Sequence, residues 1–451
     1  MHTLDQLHSG QLTGTQRLNL TCGLRDFPPA IFDLAASLEV LDLSNNQLST
    51  LPKDLPRLHR LKVLFLNNNQ FETVPEVLAQ CPNLSMIGFK ANRLTTLPDC
   101  ALPPQTRWLI LTDNQLETLP KSLGTLKHLQ KLMLAGNRLQ TLPEEMAACL
   151  NLELVRLAAN QLQELPTWLL TLPRLAWLAY AGNPFCAGWH DSATAHTTLP
   201  TIEWHDLVIG EFLGQGASGL ISKGLWKRDN QVVEVAIKLF KGDITSDGYP
   251  ADEMQACLAA GTQANLISPI GQITNQPEGK QGLVFPLVPS NFRNLGGPPS
   301  LESCTRDTYP EHLAFSPATV LQIAASLAAA IAHLHQRGIL HGDVYAHNTL
   351  VNKAGTALLG DFGAASFYPC CSEAPGSALE RMEARAFGCL LEDLLDRCPT
   401  PATAEQMGTT QALRQLQHDC MRPTPPMRPS FDEITQRLAQ IQEELPSLAL
   451  C

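Results

Sequence analysis

The 451 residues contain no C-x-x-C pair, no basic stripe and no charged start followed by an apolar core at the N-terminus. Each absence removes a class of protein. Thirteen cysteines are present but scattered, which argues against a zinc site or a disulfide framework and fits free thiols in a reducing compartment. Lysine and arginine number 32 against 43 aspartates and glutamates, a net charge of −11, and without a basic stripe to displace counterions general nucleic-acid binding is not expected. Acidic solubility is the plain reading of that charge. The opening Met1-His-Thr-Leu-Asp-Gln-Leu-His8 does not read as a secretory leader, and a cytoplasmic location is expected. The apolar stretch from Ala318 to Leu334 is interrupted by Gln322, Ser326 and His333, and is not expected to span a membrane.

What is present falls into two halves. Asparagines recur at Asn46, Asn69, Asn92, Asn114, Asn137, Asn160 and Asn183, in steps of 23 residues and once 22. Each follows an L-x-x-L-x-L-like core such as Leu38-Glu-Val-Leu41-Asp-Leu43. Prolines run in phase at Pro52, Pro75, Pro98, Pro120, Pro143 and Pro166. Two ladders sharing one period resemble the leucine-rich repeat family. Leu41 and Leu43 are expected to point inward from a short strand. Asn46 is expected to turn the chain and satisfy backbone groups in the turn. No single coil could bury its leucines, so the array is stable only as a stack. The coil at Thr15 to Phe27, with Gly23 at the asparagine position, and the coil that ends at Asn183 read as caps.

Strand positions that alternate away from the leucine core form columns on the concave face. They include Phe65, Met86, Trp108, Ile110, Met133, Leu154 and Trp177, an unusually apolar wall for a solvated surface. The expected occupant is a protein or peptide partner, or the other half of the same chain. The bland alternative folds one or two of the aromatics sideways into the core.

The second half carries His341-Gly-Asp-Val-Tyr-Ala-His-Asn348 and, thirteen residues after Asn348, Asp361-Phe-Gly363. Phosphoryl transfer needs a carboxylate to orient the attacking hydroxyl, ligands for magnesium and donors that neutralise the triphosphate. Asp343 suits the first role, and Asn348 and Asp361 suit the second. Upstream, Gly214-Gln-Gly216-Ala-Ser-Gly219-Leu-Ile221 lies between two strand-like runs, where glycines let backbone N–H groups approach phosphate. Val235-Ala236-Ile237-Lys238 follows and offers Lys238 to the α- and β-phosphates. The glycine string alone is weak; four elements in order are not.

Residues from about 205 to 445 resemble a eukaryotic-type protein kinase domain. The resemblance implies ATP and Mg2+ as cofactors, with Gly214, Gly216, Gly219, Ile221, Ala236 and Lys238 around the nucleotide. It also implies a helix glutamate paired with Lys238, for which Glu253 is the best match and Asp252 the rival. Ala318 to His335 would be the buried helix before the catalytic loop. Met427-Arg428-Pro429-Ser430-Phe431 resembles the motif whose arginine ties down the end of the activation segment, in the manner of the tyrosine-kinase-like branch. The expected architecture is an α/β leucine-rich repeat solenoid over 1–200, followed by a two-lobed α+β protein kinase fold over 201–451, with a polar linker near Phe185 to Thr201. Membrane receptors that join these modules place a spanning helix between them, and this linker has none. The layout resembles bacterial leucine-rich repeat protein kinases.

Several positions depart from the family pattern. Gly342 stands where most members have arginine, which argues against switching by loop phosphorylation. Tyr345 and His347 occupy the places where a lysine or arginine would lie near the transferring phosphate. Ala374-Pro375-Gly376 replaces Ala-Pro-Glu only eleven residues after Gly363, and Glu383 replaces an aspartate. The expected function is transfer of the ATP γ-phosphoryl to protein hydroxyls, serine or threonine first, with the repeats recruiting a partner. The alternative is a pseudokinase scaffold that binds ATP and partners without turnover. Keeping Lys238, Asp343, Asn348 and Asp361 in one cleft favours the enzyme, because a scaffold has no need of that charge set.

Overall fold

Within residues 1–174, seven strands of three residues each, too short to be stable alone, run side by side: β1 (Arg17–Asn19), β2 (Val40–Asp42), β3 (Val63–Phe65), β4 (Met86–Gly88), β5 (Trp108–Ile110), β6 (Lys131–Met133) and β7 (Leu154–Arg156). They are parallel and paired one repeat apart, so Val40 lies opposite Val63, Val63 opposite Met86 and Met86 opposite Trp108. The central residue of each points into the stack, and Leu41, Leu64, Ile87, Leu109 and Leu132 are fully buried. The computed structural model describes residues 2–189, 199–228, 231–242, 244–369 and 375–448. Two compact units divide between Arg174 and Leu175. That division falls ahead of residue 200, and it places the strand β8 (Trp177–Ala179) in the second unit.

The asparagine ladder joins one coil to the next. Asn46 donates from Nδ2 to the carbonyls of Leu20 and Leu43, both at 2.8 Å, and its Oδ1 accepts from the N–H of Leu24 at 3.0 Å. Asn69 repeats the pattern one coil later, with Leu43 O at 2.9 Å and Leu48 N at 2.9 Å. Buried backbone groups at the turn therefore meet a side chain instead of water. Immediately before each ladder position from Asn46 to Asn183 the backbone is left-handed, at Asn45, Asn68, Ala91, Asp113, Gly136, Ala159 and Gly182.

The proline ladder has its own cause. Pro75, Pro120, Pro143 and Pro166 each sit just before a 3₁₀ helix, where a fixed φ and a missing N–H cost nothing. The coil with the 22-residue step, between Asn92 and Asn114, has no such helix and instead carries Cys100 at φ 58°. At the chain start, helix α1 (Leu4–His8) is closed by Thr3 and Gln6 in a reciprocal capping box.

In the second unit, a six-stranded sheet has the order β10-β11-β12-β14-β13-β9. Its strands are β9 (Thr201–Glu203), β10 (Leu207–Gln215), β11 (Gly219–Arg228), β12 (Gln231–Phe240), β13 (Gly271–Thr274) and β14 (Gly282–Pro286). All pairings are antiparallel except β9 on β13. Ile202, Leu207, Val235, Ile237, Ile273 and Val284 form its core. Helix α2 (Pro250–Ala260) lies between β12 and β13 in the chain.

The rest of the unit is mainly helical. It contains α3 (Pro317–His335), α4 (Gly376–Leu395), α5 (Ala404–Cys420) and α6 (Phe431–Leu448). Short strands β15 (Arg293–Asn294), β17 (Thr349–Val351) and β18 (Ala357–Leu359) form one sheet, and β16 (Ile339–Leu340) pairs with β19 (Ser366–Phe367). Helix α3 is long and apolar enough to cross a membrane by length and composition. It packs against α4, α5 and α6, with Leu321, Ile323, Leu327, Ile331 and Leu334 buried, as a core helix does.

Candidate active site

Lys238 sits near the end of β12, opposite Ile221 of β11 and Leu283 of β14. Its ammonium pairs with the Glu253 carboxylate of α2. Glu253, and not the rival Asp252, is thus the residue the fold delivers to Lys238. Burial opposes the Lys238 charge, but the Glu253 and Asp361 carboxylates outweigh it and raise the lysine pKa. The three charges therefore belong to one cluster.

The glycines of the β10–β11 turn divide by cause. A Cβ on Gly219 would lie 2.7 Å from the Leu239 carbonyl oxygen and 3.3 Å from Lys238 Cε, so this glycine is required by the close passage of β12. Gly214 and Gly216 have open space around the Cβ position, and the Gly216 N–H closes the turn on Gly219 O at 3.0 Å. Ile221 and Ala236 are half-buried on the adjoining strands.

The carboxylate side is built by the β17–β18 hairpin. Thr349 pairs with Leu359, and the Gly360 N–H donates to Asn348 O at 3.0 Å, which brings Asn348 and Asp361 to the same end of the hairpin. Asn348 Nδ2 donates to Asp343 Oδ2 at 2.7 Å and to its carbonyl at 3.0 Å. That use of the amide N–H turns Asn348 Oδ1 away from Asp343. Asn348 Oδ1 and the exposed Asp361 carboxylate are hard oxygen donors, the kind that could hold Mg2+ while it keeps several waters. Asp361 is held left-handed, φ 58°, with Oδ1 accepting the Gly363 N–H at 3.1 Å.

Below the loop, the fully buried Glu383 of α4 accepts from the N–H of Gly342 at 2.7 Å and of His341 at 3.3 Å, and contacts His335 Nε2 at 2.7 Å. Burial alone would raise its pKa, but His335, His341 and the Gly342 N–H hold the carboxyl below its ordinary value.

The family profile of protein tyrosine and serine/threonine kinases matches residues 207–373. The leucine-rich repeat profile matches 13–71, 36–94 and 104–162. The chain carries leucine-rich repeats followed by a protein kinase domain. Fibroblast growth factor receptor 1 of Xenopus laevis is 23% identical over 314 residues, covering 58% of this chain and 38% of the receptor. Tyrosine-protein kinase receptor TYRO3 of Danio rerio is 24% identical over 282 residues, covering 53% of this chain and 32% of the relative. The chain spans well under half the length of either relative.

Within the kinase domain, Tyr345 does not face the Asp343–Asp361 end of the cleft. It is buried, stacked on Trp177 with ring centroids 4.5 Å apart and planes 6° apart. His347 is held by Asp307, a residue that sequence reasoning missed. Asp307 Oδ1 lies 2.6 Å from His347 Nδ1, and Oδ2 accepts the N–H groups of Ala346 and His347 at 2.5 and 3.3 Å. Burial opposes the charge on His347, yet the Asp307 hydrogen bond and neighbouring carboxylates raise its pKa. No local pattern marks Asp307, forty residues upstream in an irregular segment. Arg428 is buried and donates to the carbonyls of Arg422 at 2.8 Å and Arg381 at 3.3 Å, near the start of α4. Of the Ala374-Pro375-Gly376 string, Ala374 lies outside the described residues.

The concave wall requires a correction. Trp177 is 2% exposed, its indole being covered by Val344 and Tyr345, so it is not part of an open partner surface. Met86 and Leu154 are buried as well. Phe65, Trp108, Ile110 and Met133 are half-exposed. Phe65 leans over Gly88, where a Cβ would come within 2.8 Å of its ring, and meets Trp108 edge-on at 6.4 Å. Lys131 Nζ lies 4.3 Å above the Trp108 ring.

Proposed function

We propose that the chain is an ATP-dependent protein kinase that transfers the γ-phosphoryl group to serine or threonine hydroxyls. The arrangement that carries the reading is the Lys238–Glu253 pair within the field of Asp361, at a cleft whose other side joins Asn348 to Asp343. In this reading Lys238, positioned by Glu253, binds the α- and β-phosphates beneath the turn of Gly214, Gly216 and Gly219, with Ile221 and Ala236 against the base. Asn348 and Asp361 hold Mg2+, which when bound neutralises phosphate charge. Asp343 orients the acceptor hydroxyl. The name of one relative, tyrosine-protein kinase receptor TYRO3, favours tyrosine as a second reading of the acceptor.

Purified full-length protein incubated with labelled ATP and magnesium, beside Asp343→Asn and Lys238→Met, tests the reaction. Label that disappears in both variants supports phosphotransfer, whereas absence of label in every sample supports the scaffold. Acid hydrolysis of the labelled product separates phosphoserine and phosphothreonine from phosphotyrosine.

The concave repeat face recruits a protein or peptide partner through Phe65, Trp108, Ile110 and Met133. The aromatic pair with an overlying lysine supports this, since such clusters anchor interfaces. Loss of capture in Trp108→Ser, with an unaltered melting temperature, is the expected result; full capture would remove the idea. A cytoplasmic location completes the proposal, supported by buried free thiols such as Cys149, Cys257 and Cys420, and cell fractionation tests it.

A further inference from the structure

Two departures in the catalytic loop, Gly342 and Tyr345, meet the same piece of chain. Gly342 has φ 73°, and a Cβ there would lie 2.5 Å from the Leu178 carbonyl oxygen and 2.6 Å from that of Ala364. The backbone of β8 occupies the space a side chain at 342 would need, arginine included. Two residues further along, the Trp177 indole N–H donates to Val344 O at 3.1 Å while its ring lies flat on Tyr345. The chain then leaves β8 through Tyr180, which is fully buried. Its N–H donates to Ser366 Oγ at 3.1 Å and its hydroxyl donates to Phe367 O at 3.1 Å. These contacts bracket the site: residues 342, 344 and 345 surround Asp343, and 366 and 367 follow the Asp361-Phe-Gly segment.

We propose that the last repeat strand, through Trp177 and Tyr180, positions the catalytic loop and the segment after Asp361, so that phosphotransfer depends on this strand being in place. Simple core packing would not call for a directed N–H bond to the carbonyl beside Asp343, a coplanar stack on the next residue and a glycine where the two backbones touch. Together they fix both neighbours of Asp343 and therefore the direction of its carboxylate. Trp177 touches no reacting atom; it acts through Val344 and Tyr345. The kinetic half of the proposal rests on the kinase reading, and the structural half does not.

The test uses the full chain with Trp177→Ala and Trp177→Phe, and two measurements. Steady-state kinetics should show kcat reduced about tenfold or more in Trp177→Ala, with KM for ATP nearly unchanged, because a loop displaced by a fraction of an ångström misaligns the acceptor and leaves the nucleotide site intact. Trp177→Phe, which keeps a ring for Tyr345 to stack on, should recover most of kcat. Hydrogen exchange of amides 341–348 should accelerate about tenfold in Trp177→Ala while β10 to β12 exchange as before. Wild-type values of both kcat and loop exchange in Trp177→Ala would overturn the proposal. If the wild-type protein transfers no phosphate, the kinase reading falls and exchange alone decides: faster loop exchange supports positioning, and unchanged exchange overturns it. Should Trp177→Ala fail to fold, Tyr345→Leu removes the stack from the other side and is judged by the same two measurements.

Discussion

Asn69 and Asn348 show how differently the two units use one residue type. Asn69 is buried and closes its coil onto the preceding one, donating to Leu43 O at 2.9 Å and accepting from Leu48 N at 2.9 Å. Asn348 stays half-exposed and donates to Asp343 at 2.7 Å, where the hydrogen bond holds one carboxylate in place. In the repeats, partners lie one coil apart and the same contact recurs at each step. In the kinase domain, residues 238, 253, 343, 348 and 361 meet once. Hydrogen bonds of similar length therefore supply cohesion in the first unit and orientation in the second.

The largest effect that would break this comparison is chemical. Lys238→Met should reduce phosphotransfer by about 10²- to 10³-fold, the usual loss when one donor to a transition-state charge is removed. Retained turnover would show that Lys238 does no orienting work.

Next comes the support of the catalytic loop. Glu383 has its pKa lowered on folding, so its stabilisation is complete above the ordinary value of 4.5 and is lost as pH falls through the folded value. Glu383→Gln should cost about 3 kcal/mol at neutral pH, as broken buried ionic networks do, and should flatten the acid limb of the stability profile. Urea titrations from pH 3 to about pH 7 check both, and an unchanged acid limb would assign the acid sensitivity elsewhere.

A cohesive asparagine should come third. Asn137→Ala leaves the carbonyls of Leu111 and Leu134 and the N–H of Leu116 without their side-chain partner, and should cost about 2 kcal/mol in urea titration. A loss below a few tenths of a kcal/mol would mean that water replaces the side chain, and that the ladder holds less than its geometry implies.

The smallest effect is a gain. Ala91 occupies the left-handed position of its coil at φ 53°, where Gly136 and Gly182 stand in others. Ala91→Gly should stabilise the protein by about 1 kcal/mol or less, the strain relieved outweighing the added chain entropy. A lower melting temperature would show that the alanine methyl contributes more than its strain costs.

The repeats were legible because their contacts recur at a fixed offset: reading Leu41, Leu43 and Asn46 once reads the others. The kinase site was legible in part, because Gly214 to Ile221, Asp343 to Asn348 and Asp361 to Gly363 are short strings whose internal geometry travels with them. What could not be read joins distant residues without a local mark. The Trp177 bond to Val344 spans 167 positions, and its alternation in the strand made it look like one more concave-face residue. The pairing of β9 with β13, by which Ile202 enters the core, was hidden for the same reason: three residues after a polar stretch carry too little periodicity. Glu253 against Asp252 was open because both lie in the first turn of α2, and only the fold chooses the side that meets Lys238.

The coil between Asn92 and Asn114 is one residue short, yet its strand and its asparagine remain in phase with their neighbours. The lost residue is absorbed where a 3₁₀ helix would otherwise form. Insertions and deletions during the history of such a gene are therefore expected to accumulate on the outer arc. The inner arc tolerates change of length only in whole multiples of a coil, since a single-residue slip there would unseat every amide bond downstream.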